Sequence, residues 1–345
     1  MQGSLRYGSP GGAEIGLEEK VAFLLDPAAY ARIERVPPSD VQTVETHMAW
    51  VFLTDRHAWK LKKPVRYAFL DFSTVEARRR DGLDEVALNA RLAPGVYLGV
   101  VPLALGPSGV LVLGGDGPAV DWVVQMRRLP GDGFLDRRLR CGAVGEDEIA
   151  AVAEILARFY AAAVPVGLSG EAYCARLGAA IVDDVEELDC HDRHADGAED
   201  IGAALVRFID ANGDLLADRA GRVVEGHGDL RPEHVCLNSP PVVIDCLEFS
   251  QDFRIVDPVD ELAFLAMECE MIGAPAAGTA ILASTCKRLG DDPPRALVGF
   301  YAAGRALLRA KLAFSHVWDV ERGAHEHWRA RGRAYLDLAR RHLPS

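Results

Sequence analysis

The chain has 345 residues, room for about two domains of ordinary size, and its 49% hydrophobic and 26% charged content is that of a soluble globular protein. With 38 basic against 51 acidic side chains the formal charge is −13, which argues against a general nucleic-acid or anionic-membrane binder. No apolar run approaches the ~18 residues of a membrane helix. The seven cysteines stand singly with no CxxC pair, the usage of reduced, mostly buried thiols in a cytoplasmic protein rather than of a disulfide framework or zinc site.

Residues 1–16 are rich in Gly and polar side chains, lack the apolar core of a signal peptide, and read as a disordered tail. Residues 41–44, 50–53 and 57–62 are short β-like runs separated by turns. Lys60 and Lys62 lie on one face of the third run by the strand period of two. The first turn, Glu45-Thr46-His47-Met48-Ala49, has no glycine, and no GxxxxGK[ST] occurs anywhere, which excludes a P-loop nucleotide site. Ser73-Thr74-Val75-Glu76 reads as a capping box opening a helix to about Leu92, with Glu85 on it. Residues 98–103, 110–113 and 121–126 continue the β pattern, and the last leaves through Arg127-Arg128-Leu129-Pro130-Gly131.

From Glu146 the pattern turns helical, with Ile149, Val152, Leu156, Phe159 and Ala163 at helical spacing. Helices are predicted over 171–188 and 199–217, joined by a polar loop. Asp183 to Asp200 holds nine carboxylates, Asp183, Asp184, Glu186 and Glu187 among them, with His191 and His194 interleaved. By itself this run reads as a solvated face and loop. Asp257-Pro258 is a strong helix start, and helices follow over 277–288, 295–314 and 324–342.

The stretch from Gly226 to Phe249 carries the chemistry. Val235-Cys236-Leu237 and Val242-Val243-Ile244 flank the turn former Asn238-Ser239-Pro240-Pro241, a hairpin signal with a four-residue loop. The simplest register sets Leu237 opposite Val242 and therefore His234 opposite Asp245. Opposed residues have Cβ atoms about 5 Å apart, close enough to share a metal ion. Asp229 precedes His234 by five residues in a polar loop. Cys236 and Cys246 read as small apolar fillers.

In His227-Gly228-Asp229-Leu230-Arg231-Pro232-Glu233-His234, six of the eight letters of an HRDLKPEN-type catalytic loop fit or are conservative, Arg231 standing for the lysine. Joined to Trp59-Lys60-Leu61-Lys62-Lys63-Pro64-Val65, Leu70-Asp71-Phe72-Ser73, Leu88-Asn89-Ala90-Arg91-Leu92-Ala93-Pro94 and Asp257-Pro258-Val259-Asp260-Glu261-Leu262-Ala263, it makes the chain resemble the aminoglycoside phosphotransferase-like branch of the protein-kinase-like fold. More narrowly, it resembles the bacterial "aminoglycoside phosphotransferase family enzyme" group, without the C-terminal P-loop domain of its longer members.

The resemblance implies an α+β, bilobal fold: a small β-rich N-lobe over 17–125, a hinge over 126–131 and a larger helical C-lobe over 132–345. It implies an ATP-dependent kinase, with ATP and a small hydroxyl-bearing molecule as partners and Mg2+ as cofactor. Lys60, with Lys62 as alternative, and Glu85 would hold the phosphates beneath Thr46 and His47, and backbone groups of Met126, Arg127 and Arg128 would pair with adenine. Asp229 would orient and deprotonate the acceptor, and Arg231 would neutralise the transferring phosphate. Asp245 would hold the metal and His234 complete its shell, although imidazole suits Mn2+ or Zn2+ better than Mg2+. His227 and Asp260 would brace the loop, and the acidic run would favour an amino-sugar or other aminated acceptor. The His at 234, where the family has Asn, and the glycine-free turn keep a regulatory, nucleotide-binding pseudokinase open as the alternative, with nucleotidyl transfer behind it.

Overall fold

Alternation along His57-Ala58-Trp59-Lys60-Leu61-Lys62 sends Trp59 and Leu61 into a hydrophobic core and both lysines to the other side of the strand. The computed structural model describes residues 15–67, 69–191, 195–318 and 325–344, and divides into two compact units. The first comprises residues 15–87 with Gly95–Arg128, the second Leu88–Pro94 with residues 129–344. Expectations for residues 1–14, Asp192 and His194 fall outside the described residues.

The first unit opens with α1 (Leu17–Leu25) and α2 (Ala31–Glu34), followed by β1 (Gln42–Glu45), β2 (Ala49–Leu53), β3 (His57–Lys62), β4 (Arg66–Tyr67), β5 (Leu70–Asp71), α3 (Val75–Asn89), β6 (Tyr97–Leu105), β7 (Leu111–Leu113) and β8 (Ala119–Arg127). Six strands form one antiparallel sheet in the order β1-β2-β3-β8-β6-β7. Leu24, Tyr30, Phe52, Trp59, Leu61, Leu103, Leu113 and Val123 pack fully buried together.

Helix α3 is polar in sequence, so charge rather than apolar burial fastens it. Arg78 grips buried Asp121 of β8 with Nε and Nη2, both at 2.8 Å, and Lys20 of α1 reaches the same carboxylate at 2.9 Å. At Gly82 an added Cβ would lie 3.3 Å from a Val124 methyl and 3.4 Å from one of Val100, so glycine lets the helix close on the sheet. Thr74, not Ser73, caps α3, its hydroxyl accepting from the N–H of Ala77 at 3.1 Å, and the helix ends at Asn89 rather than near Leu92.

The second unit contains α4 (Leu135–Arg140), α5 (Glu146–Ala162), α6 (Gly170–His191), α7 (Ala198–Ala211), α8 (Gly213–Ala220), β9 (Val224–Glu225), β10 (Val235–Cys236), β11 (Val242–Val243), β12 (Ile255–Val256), α9 (Pro258–Met271), α10 (Pro275–Leu289), α11 (Arg295–Ser315) and α12 (His325–His342). The helix predicted over 199–217 is two helices. Asn212 turns its amide back to the Phe208 carbonyl at 2.9 Å, and Asn212-Gly213 breaks the run. Helix α9 starts as predicted, with the Asp257 carboxylate accepting from the N–H of Val259 at 2.9 Å and Pro258 in the first turn. Its buried face meets Leu205, Phe300, Leu307, Phe314 and Tyr335 in one large core. Among the described residues, no helix is long and apolar enough to cross a membrane.

Candidate active site

Both lysines of β3 reach Glu85 of α3. Lys60 Nζ lies 2.8 Å from Glu85 Oε1 and Lys62 Nζ lies 2.7 Å from Oε2. Lys62 also meets Asp81, one helical turn before Glu85, at 2.6 Å, and lies 5.3 Å from the centre of the Phe72 ring. Glu85 is fully buried.

The hairpin departs from the expected register. Val235 pairs with Val243 and Cys236 with Val242, so the loop runs from Leu237 to Pro241 and is one residue longer than expected. The residue opposite His234 is Ile244, whose N–H donates to the His234 carbonyl at 2.9 Å. A slip of one residue should turn Asp245 to the opposite face. Instead Asp245 adopts φ +63°, a left-handed conformation that Asp tolerates better than most residues, and the backbone turns there. Asp245 Oδ2 thus lies 3.6 Å from His234 Nε2.

The loop ahead of the hairpin is fixed by its first residues. Buried His227 donates from Nε2 to the Ile244 carbonyl at 2.9 Å and accepts at Nδ1 from the N–H of Asp229 at 3.3 Å. Burial pushes the His227 imidazole down, so it stays neutral. Gly228 has φ +89°, and a Cβ there would meet Leu247 at 3.0 Å and Arg254 at 3.2 Å, which explains a glycine where the resembled motif has Arg. The Glu261 carboxylate accepts from the N–H groups of His227 and Gly228 and from the Tyr160 hydroxyl at 2.8 Å. Asp260, expected to brace this loop, instead makes a bidentate pair with Arg305 at 2.8 and 2.6 Å.

Asp229 and Arg231 come together, Oδ2 to Nη2, at 2.9 Å, and Arg231 also pairs with Glu233. Burial works to raise the Asp229 carboxyl, but the charge of Arg231, followed by His234 and Arg309 and the Arg231 hydrogen bond, outweighs it and holds it below the usual carboxylate range. Asp229 is therefore ionised and still 22% exposed. His234 Nδ1 lies 2.8 Å from the Asp229 carbonyl, which can only accept, so Nδ1 carries the proton and Nε2 keeps a lone pair in the neutral ring. That lone pair faces Asp245. Two ligands on one ion, each ~2.1 Å from it, stand roughly 3–4 Å apart, so the Nε2 to Oδ2 separation of 3.6 Å suits a divalent ion taking one nitrogen and one oxygen. Arg231 Nη2, 3.2 Å from the same Nε2, competes for that lone pair.

The remaining expected residues are placed otherwise. Thr46 closes its own turn: its hydroxyl lies 3.0 Å from both the N–H and the carbonyl of Ala49. His47 beside it is exposed. Met126 is buried in β8, while the N–H groups of Arg127 and Arg128 already donate to Val96 and Arg56 at 2.7 and 2.8 Å. The Arg128 guanidinium donates to the Thr54 carbonyl at 2.6 Å. In the acidic run, Asp184 and Glu187 are both bound by Lys311, at 2.7 and 3.4 Å, and Asp183 and Glu186 face solvent.

Several supporting residues escaped the sequence reading: Glu261, Tyr160, Asn89, which accepts from the N–H of Cys246 at 3.0 Å, and Arg91, which donates to the Gly226 carbonyl at 2.8 Å. Asn89 and Arg91 lay within a segment noted only for its resemblance.

No protein-family model matches the chain. Uncharacterized proteins of Mycobacterium tuberculosis and Mycobacterium bovis are 36% identical over 282 residues, which is 78% of this chain and 53% of each relative. The chain thus spans about half the length of the curated relatives it matches. Among solved structures, it is similar to a choline/ethanolamine kinase family protein from Mesorhizobium loti (TM-score 0.52, 16% identity, 92% of this chain and 97% of that one). It is similar also to APH(2")-IIia in its complex with GDP and kanamycin (0.52, 16%, 91% and 97%) and to a choline kinase from Cryptosporidium parvum (0.50, 12%, 88% and 91%). Identities this low speak for the fold.

Proposed function

We propose that this chain, whose fold is the protein-kinase-like fold of aminoglycoside phosphotransferases and choline kinases, is an ATP-dependent phosphotransferase acting on a hydroxyl of a small amine-bearing molecule. The observation that carries the reading is an ionised Asp229, on a loop locked by His227 and Glu261, with Arg231 at 2.9 Å. Phosphoryl transfer asks a protein for an oriented hydroxyl and neutralised oxygens rather than for covalent chemistry. Asp229 would accept the proton of the acceptor hydroxyl, and Arg231 would offset charge on the phosphoryl oxygens. Lys60, presented by Glu85, would hold the nucleotide phosphates. Asp245 and His234 Nε2 would hold a divalent cation, Mg2+ or Mn2+, which when bound screens the phosphate oxygens.

The acceptor class is supported by what the similar proteins are named for: choline, ethanolamine and kanamycin are all hydroxyl-bearing amines. Within the acidic run, Asp184 and Glu187 lend this no weight, because Lys311 satisfies both. One observation favours the second reading, a nucleotide-binding regulatory module without catalysis: Arg231 covers both Asp229 and His234 Nε2. Divalent-dependent ADP release over a panel of matched aminated and neutral polyols separates the two. A kinase turns over at least one acceptor and loses that turnover in Asp229→Ala; a regulatory module binds nucleotide and releases no ADP with any acceptor.

A further inference from the structure

Lys60 and Lys62 divide one carboxylate between them, and they are not equivalent. Lys60 on one oxygen of Glu85 is 16% exposed, whereas Lys62 on the other is 3% exposed and also holds Asp81. Asp81 and Glu85 stand four residues apart, the spacing that puts both on one helix face, so the two acids close on the deeper ammonium together. A lysine that shares its ammonium with a phosphate gives part of its charge away from its glutamate. A buried carboxylate that loses counter-charge is strongly destabilised unless a second cation holds it.

We propose that Lys62 is a positioning residue: anchored by Asp81, it fixes Glu85 and gives it a second counter-charge, so that Lys60 alone is presented to an anionic ligand and can share its charge without stranding the buried acid. Lys62 then does not touch the nucleotide. The inference rests on the nucleotide-binding reading above, and it assigns different work to two lysines that strand periodicity leaves interchangeable.

A double-mutant cycle on the full chain tests it, read as the dissociation constant of ATP by calorimetry at fixed Mn2+, with the melting temperature measured alongside. Lys62→Met is expected to weaken ATP binding about tenfold in the wild-type background and by no more than about twofold when Glu85→Gln is already present, since Lys62 acts through that carboxylate. Lys62→Arg, which keeps the charge, should restore most of the affinity, and Lys60→Met should weaken binding in both backgrounds. An equal loss from Lys62→Met in the two backgrounds would mean a direct nucleotide contact and overturns the proposal. So does a lowered melting temperature in Lys62→Met or Asp81→Asn with ATP affinity unchanged, the mark of a merely structural pair. Wild-type protein that binds no ATP overturns the proposed function and this inference together, whereas wild-type binding with an additive cycle overturns this inference alone.

Discussion

Glu261 accepts the backbone N–H of His227 at 2.9 Å, and the same carboxylate takes the N–H of Gly228 and the hydroxyl of Tyr160. One buried side chain on α9 thereby sets the path of the loop that carries Asp229. In Glu261→Gln the amide oxygen can still take both N–H groups, but the amide nitrogen replaces the oxygen that accepts from the Tyr160 hydroxyl and lies 3.0 Å from the His227 nitrogen. Leaving a buried donor unmatched costs roughly 1–3 kcal/mol, so denaturant unfolding should show a loss of about 2 kcal/mol, accompanied by at least a tenfold fall in any ADP-releasing activity. Full activity in this variant would mean that the loop holds its shape without the carboxylate.

The buried, neutral His227 gives stability a particular pH dependence. Its folded pKa lies below that of the unfolded chain, about 6.5, so the unfolded state binds more protons as pH falls. The contribution of His227 is complete above about pH 6.5 and declines as pH drops from there toward the folded pKa. Asp229, also lowered, acts in the same direction but below its unfolded value of about 3.9. Unfolding free energies between pH 7 and 5 should therefore fall more steeply in the wild type than in His227→Asn. Parallel slopes would refute the assignment.

At His234 the expectation concerns metal choice. Replacing the nitrogen ligand by an amide oxygen in His234→Asn should shift metal-dependent nucleotide binding toward Mg2+ relative to Mn2+ by about tenfold, because Mg2+ prefers oxygen. An unaltered Mg2+ to Mn2+ ratio would confine His234 to bracing the Asp229 carbonyl.

Gly228→Ala tests the backbone of the loop. The position sits at φ +89° with Leu247 and Arg254 closing over it. A side chain there carries conformational strain of order 1–3 kcal/mol besides the steric contact. Calorimetry should find the variant less stable by about 2 kcal/mol, and Gly228→Arg, which recreates the resembled motif, worse still. A neutral result would show that the loop relaxes freely.

The eight letters from His227 to His234 and the order of strand lysine before helix glutamate were readable because they are local strings, and local strings survive in one dimension. Three things were not. Asp260 and Glu261 are neighbours at a helix start, about 100° apart around the axis, and only the packing of α9 decides which faces the loop. The pairing of His234 with Asp245 was anticipated through a register that the protein does not use; the left-handed residue that restores the contact has no signature beyond an Asp. Lys60 and Lys62 share a strand face, so periodicity assigns them together and only depth separates them. The break at Asn212-Gly213, by contrast, carried an ordinary turn signal inside an otherwise helical pattern.

Asp121 on β8 is grasped at once by Lys20 from α1 and Arg78 from α3. The opening helix thus shares, through one buried carboxylate, in the charge balance that seats the helix bearing Glu85: without Lys20, Arg78 alone would neutralise Asp121. A label, fusion or proteolytic nick placed near Lys20 would then register about a hundred residues along the sequence, as an under-neutralised acid on β8.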